Sequence, residues 1–108
     1  MATAYPILGQ QKPGAATPTD LFTCATTYAV VSSLVICNQS AVADTFRISV
    51  SLGGGATATK DYIYYDLTLA GNDTFIFTGG ITMSSTDVMR CYSTNGTCSF
   101  NLFGSTIS

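Results

Sequence analysis

The sequence predicts an all-β protein: an antiparallel Ig-like or jelly-roll-type β-sandwich of about seven strands with an extended N-terminal arm. Three observations carry this. No stretch of ten residues repeats its apolar side chains with the 3.6-residue period of a helix. Several segments alternate apolar and polar residues with a period of two. Clusters of Gly, Asn and Asp separate these segments at short, regular intervals, the spacing expected of a sandwich.

Residues 1–20 read as the arm and 21–108 as the sandwich domain. Pro6, Pro13, Gly14 and Pro18 punctuate the arm, which excludes a helix and a central strand. Tyr5, Pro6, Ile7 and Leu8 form its one apolar patch, suited to docking as an edge strand or to lying on a neighbouring subunit. Twenty extended residues span up to ~66 Å, enough to cross such a neighbour. Within the domain, 27–38 is β-branched and apolar on both faces, as a central strand would be. Strict alternation in 45–52 places Phe46, Ile48, Val50 and Leu52 on one face. The same rule applied to 61–69 turns Ile63, Tyr65, Leu67 and Leu69 inward and Tyr62, Tyr64, Asp66 and Thr68 outward. Strands over 73–78, 87–93 and 97–103 follow, divided by turns at 70–73, at Gly79-Gly80 and at Asn95-Gly96.

Asn95-Gly96 predicts a type I′ hairpin, because both central residues of that turn need positive φ. Centring the turn there puts Met89, Cys91, Cys98, Phe100 and Leu102 on one face, the core. Cys91 and Cys98 then become diagonal neighbours roughly 7 Å apart, too far for the ~3.8 Å Cβ separation of a disulfide. Reduced thiols packed as small apolar groups are preferred, with a Cys91–Cys98 disulfide as the lesser option. Cys24 and Cys37 complete the four cysteines. There is no CxxC pair and no histidine, so a metal site has little to build on.

Only 9% of the residues are charged, against roughly 25% in ordinary soluble domains, and about a quarter are Ser or Thr. So neutral a surface is poorly defended against association, which suggests one largely hidden against partners. Lys12, Arg47, Lys60 and Arg90 are scattered, and the formal net charge is −2, so neither nucleic acid nor an anionic membrane is an expected partner. The longest apolar stretch, 28–37, is about half the length of a membrane-spanning helix. The N-terminus has no basic segment ahead of a long apolar run, so synthesis in the cytosol is expected.

The residues offer no enzyme chemistry and no cofactor. Histidine and glutamate are both absent, and most of the six aspartates sit where turns enter strands, the place for carboxylates that hold backbone N–H groups. The loop at 70–73 lacks the ligand density of a calcium site. Gly53–Lys60 opens with three glycines and ends in lysine, but it lacks phosphate-loop spacing and a following helix. Sequons occur at Asn38, Asn72 and Asn95; so many Ser and Thr residues produce about one by chance, and Asn72 and Asn95 are accounted for as turn residues. The outward tyrosines Tyr62, Tyr64 and Tyr92 remain as candidates for contact with a protein or a sugar.

The segments YAVVSSLVICNQS, ADTFRISVS, KDYIYYDLTLAGNDTF, GITMSSTDVMRCYS and SFNLFGSTI together resemble the small β-sandwich virion proteins of tailed bacteriophages. The resemblance runs from Leu21 to Ile107. Its most specific parts are DYIYYD and the group Asp87, Val88, Arg90 and Tyr92. It implies a structural role in the virion after synthesis in the host cytoplasm: a decoration or cement protein, expected to be a homotrimer, that binds the major capsid protein or other virion proteins. A tail, baseplate or fibre component touching host glycans is the alternative. It implies no catalytic site and carries over no functional residue. A secreted Ig-like adhesion module, with oxidised cysteines, is a third and distinct reading of the same residues.

Overall fold

The computed structural model describes residues 2–108, and the described residues form nine strands and no α-helix. They are β1 (Thr3–Ala4), β2 (Ile7–Gln11), β3 (Thr19–Thr23), β4 (Tyr28–Asn38), β5 (Asp44–Ser51), β6 (Tyr62–Leu69), β7 (Thr74–Ser84), β8 (Val88–Ser93) and β9 (Cys98–Ile107). One sheet has the order β2-β9-β4-β7, with β1 extending the β2 edge along β9; the other has the order β3-β8-β5-β6. All strand pairings are antiparallel.

The pairings have a simple logic. β5 pairs with β6, β4 with β7, β3 with β8 and β2 with β9, so the chain is one long two-stranded ribbon bent at residues 52–61. Rolling the ribbon brings β9 beside β4 and β8 beside β5, which closes two sheets, of five strands with β1 included and of four. This is the jelly roll, a double Greek key that buries one face of each sheet. Phe46 lies at the centre, with Phe75 at 5.6 Å, Tyr64 at 6.0 Å and Phe100 at 6.3 Å between ring centroids. Val31, Leu34, Ile36, Ile48, Met89 and Leu102 fill the rest of the core.

Several sequence expectations change in register or connection. The hairpin at Asn95-Gly96 is not formed: β8 and β9 belong to different sheets, and only Gly96 (φ 73°) lies in the left-handed region. The physical reason is Asp44. Its buried carboxylate accepts hydrogen bonds from Ser93 Oγ, from Asn95 N (2.9 Å) and from Thr97 Oγ1 (2.9 Å), bending the chain around itself from one sheet to the other. Met89, Cys91, Cys98, Phe100 and Leu102 are nonetheless all buried, reaching the core from opposite sides. Gly79-Gly80 is not a turn. It is a register shift inside β7, where a Cβ on Gly79 would sit 2.9 Å from the Phe77 ring. Leu52 leaves the strand for a 3-10 turn and is 81% exposed, while Phe46, Ile48 and Val50 face the core as expected.

The N-terminal segment folds back on its own chain. Ile7–Gln11 pairs with β9, and Ala2 and Ser108 exchange hydrogen bonds at the end of the same sheet. Gly9 permits this docking, because a Cβ there would lie 2.1 Å from the Leu21 carbonyl oxygen.

Asp44 shares its corner with Asn38. The buried Asn38 amide donates to the carbonyls of Val42 (2.9 Å) and Leu69 (3.2 Å), and its oxygen accepts from Ser40 N (3.1 Å) and shares the single Thr97 hydroxyl proton (2.9 Å) with Asp44. Burial by itself raises the Asp44 pKa, but the hydrogen bonds from Ser93, Asn95, Thr97 and Thr45 outweigh it and leave the group below its ordinary 3.8. Because the folded pKa is depressed, the stabilisation is full above the unfolded value and falls as pH drops through the folded one. Asp44→Ala is expected to cost about 3 kcal/mol in urea unfolding at neutral pH, since it strands several buried donors. Asp44→Asn should also flatten the acid limb of the stability curve below pH 3.8, relative to wild type. An unchanged acid limb would show that other carboxylates govern it.

Candidate functional site

The outer face of the β3-β8-β5-β6 sheet carries the only cluster of opposed charges and aromatic rings among the described residues. Arg47 on β5 is opposite Tyr92 on β8, and Ser49 is opposite Arg90, so the two arginines are diagonal neighbours on the outer surface. The Arg47 guanidinium lies between two rings, 4.2 Å from the Tyr65 centroid and 4.3 Å from that of Tyr92. Its Nε donates to Asp66 at 2.7 Å, and that hydrogen bond to the Asp66 carboxylate is the main reason its pKa is raised. Tyr62 meets the edge of Tyr65 at 4.9 Å, so Tyr92, Arg47, Tyr65 and Tyr62 form a row across the sheet.

Arg90 anchors the second side of this surface. Its Nε donates to Asp20 on β3 (2.9 Å), and its Nη1 donates to Ser51 Oγ (2.9 Å), the Gly55 carbonyl (2.8 Å) and Thr57 Oγ1 (3.2 Å). The bend at 52–61 is thereby folded over the sheet face, covering Ser49 and Ser51. Asp87 holds the start of the bend through Gly53 N (2.8 Å), and Asp61 holds its end through Ala58 N (2.8 Å). The hydrogen bonds from Gly53 and Ser84 lower the Asp87 pKa, and that from Ala58 lowers the Asp61 pKa. A groove of about 420 Å³ opens between Asp20, Arg47, Thr57, Tyr62, Arg90 and Tyr92.

The seven interface candidates from the sequence fall in three places. Tyr62 and Tyr92 belong to the groove. Tyr64 points the other way and packs on Phe75 (5.3 Å) and Phe77 (6.1 Å) inside the sandwich, and Tyr65 takes the outward position instead. The cause is two register shifts in β6, one of them at Asp66, whose φ of 52° adds a residue and resets the alternation. Tyr5, Pro6 and Ile7 line a separate groove of about 370 Å³ with Val30 and Phe103, on the outer face of the other sheet. Leu8 packs against the core.

Sequence reasoning passed over Arg47, Asp66, Arg90, Asp20 and Tyr65. The signal for Arg47 and Arg90 is their place on the polar faces of alternating strands, but only the β5–β8 register makes them neighbours. Asp66 gave no warning, because a non-glycine residue in the left-handed region leaves no mark in an apolar pattern.

Each arginine is paired with a carboxylate, which leaves a neutral patch of rings and hydroxyl groups suited to peptide or saccharide contact. The cysteines are free thiols. Burial pushes Cys91 up to about 12 and Cys98 up to about 11, the reverse of what a nucleophilic thiol needs.

Arg90→Lys should loosen the bend, because one ammonium cannot serve Asp20, Ser51 and the two bend acceptors at Gly55 and Thr57 together. Hydrogen exchange at residues 53–58 is expected to accelerate with little change in the urea midpoint. Unchanged exchange would mean that Asp61 and Asp87 hold the bend without Arg90. Titration with a thiol reagent should find Cys24, Cys91 and Cys98 unreactive in the folded protein and all four thiols reactive in urea. Two reactive thiols in urea would reveal a disulfide.

No family model matches the chain, and no curated protein does. Two crystal structures of a pentameric capsid protein isolated from metagenomic phage sequences are similar to it. One, at 16% identity and a TM-score of 0.45, aligns over 96% of this chain and 65% of the other. The second, also at 16% identity, has a TM-score of 0.41 and aligns over 95% of this chain and 63% of the other. The chain thus spans a little under two thirds of the length of each protein it resembles.

Proposed function

We propose that this chain is a structural component of a bacteriophage virion, acting as a decoration or cement protein on the assembled shell. One observation carries the reading: a sandwich with 9% charged residues leaves large apolar side chains bare on its surface. Tyr5, Tyr65 and Ile76 are 83%, 59% and 59% exposed. Such a surface is costly to leave in water and suits burial against other subunits. The jelly roll is compatible with this role but does not decide it, because the fold serves shell and lectin domains alike.

A cement protein binds the assembled shell and not its free subunits, so it stabilises assembly by linkage, by about 2.7 kcal/mol per site at a hundredfold excess over Kd. Self-association is part of the proposal. The expected trimer drew on an arm reaching a neighbour; in the single chain that arm is paired with its own β9.

The row Tyr62, Tyr65 and Tyr92 favours a second reading, a tail, baseplate or fibre component that contacts glycans through the groove. Co-sedimentation separates the two. The protein should pellet saturably with assembled shells of the virus that encodes it, raise their melting temperature and ignore unassembled shell subunits. Failure to bind shells, with binding to purified tails or to host polysaccharide lost in Tyr62→Ala, would replace the first reading with the second.

A further inference from the structure

The four sheet edges are not equally protected. β3 is five residues long, contains a register shift, and carries Asp20 paired with Arg90. β6 is broken by two register shifts and carries Asp66. β2 also contains a shift and runs directly into Lys12 and Pro13. These are the devices by which natural sheets block pairing with another chain. β7 has eleven residues with no charge and no proline, and its one irregularity, at Gly79-Gly80, leaves Thr74–Thr78 in unbroken register with β4.

The backbone of that segment is set for pairing. Asn38 N donates to the Asp73 carbonyl at 3.0 Å, so Asp73 points its backbone toward β4. Alternation along the strand then directs the backbone N–H and C=O of Thr74, Ile76 and Thr78 to the free edge. Consistent with this, the Thr74 N–H is held by the Asp73 carboxylate at 2.8 Å and not by β4. The segment reads Thr-Phe-Ile-Phe-Thr, the same in both directions. An antiparallel pair of two such strands about a two-fold axis at Ile76 therefore sets Ile76 against Ile76, Phe75 against Phe77 and Thr74 against Thr78. Identical or like side chains meet at every position, no charge opposes another, and β-branched pairs of this kind stabilise a ladder.

We propose that the β7 edge is a self-pairing site, through which two copies of this chain join their β2-β9-β4-β7 sheets across a two-fold axis at Ile76. With Thr74 N–H already engaged, the junction has four main-chain hydrogen bonds: two between the Ile76 residues, and one from each Thr78 N–H to the opposite Thr74 carbonyl. Ile76, 59% exposed in the single chain, is covered by its twin. An isologous contact of this type closes on itself and stops at two, whereas a non-closing edge contact would grow into a filament. The proposal is independent of the virion reading and of any partner.

The test is the solution mass of the full chain by light scattering from micromolar to millimolar protein. A dimer is expected, and Ile76→Lys, which sets two ammonium groups face to face, should halve the mass. Thr78→Pro removes an N–H that β4 does not use, so it should also halve the mass while sparing the fold; it stands in should Ile76→Lys misfold. Ile76→Cys should yield a covalent dimer with a short bis-maleimide, whereas Ile7→Cys, about as bare (57% against 59%) but on the opposite edge of the same sheet, should not. A monomeric wild type, a dimer that survives Thr78→Pro, or equal cross-linking of the two cysteine variants would overturn the proposal. A trimer or pentamer that withstands both β7 substitutions would assign self-association to another surface.

Discussion

The architecture depends on how three connections between the sheets are held at one end of the sandwich. Asp44 begins β5, Asn38 ends β4, and Thr97 lies between β8 and β9; their side chains bond one another and the backbone of the neighbouring turns. A buried carboxylate is expensive to desolvate, and it persists here because each oxygen is supplied with donors from different segments. Any other path for residues 94–97 would leave Asp44 without those partners. A polar knot therefore selects a sheet-to-sheet crossing where the local sequence favours a hairpin. Every buried side-chain nitrogen and oxygen among the described residues has a partner.

Legibility followed the periodicity of the chain. β4, β5, β8 and β9 could be read directly because their burial is set by alternation against one continuous core, and Phe46, Ile48, Phe100 and Leu102 lie where the pattern puts them. The pattern failed where the backbone adds a residue. At Asp66 and at Gly79-Gly80 the alternation restarts, so the strand reading turned Tyr64 the wrong way and ended β7 early. Pairing partners were less legible still. Strands adjacent in sequence mostly lie in opposite sheets, so a local turn signal such as Asn95-Gly96 says little about the neighbour in space.

The groove suffered most from this. Its arginines come from strands about forty residues apart, and its tyrosines come from β8 and from β6, where Tyr64 turns inward between Tyr62 and Tyr65. What composition did disclose was the character of the surface: few charges, many hydroxyl groups, and apolar side chains left outside. The Arg47 and Arg90 ion pairs neutralise two of the four basic residues in place, so even the charged part of the surface presents little net field.

The rolled ribbon also fixes an order of events during folding. The β5–β6 pair joins residues at most 25 apart, from Ser49–Tyr62 out to Asp44–Leu69, whereas β2 and β9 are separated by about ninety in sequence. Loop-closure entropy grows with that separation, so the ribbon zips from the bend at 52–61 outward, and the whole domain belongs with slow, high-contact-order folders. The bend that Arg90 ties down is thus the natural starting point of the fold, and the N-terminal strand is the last piece to find its place.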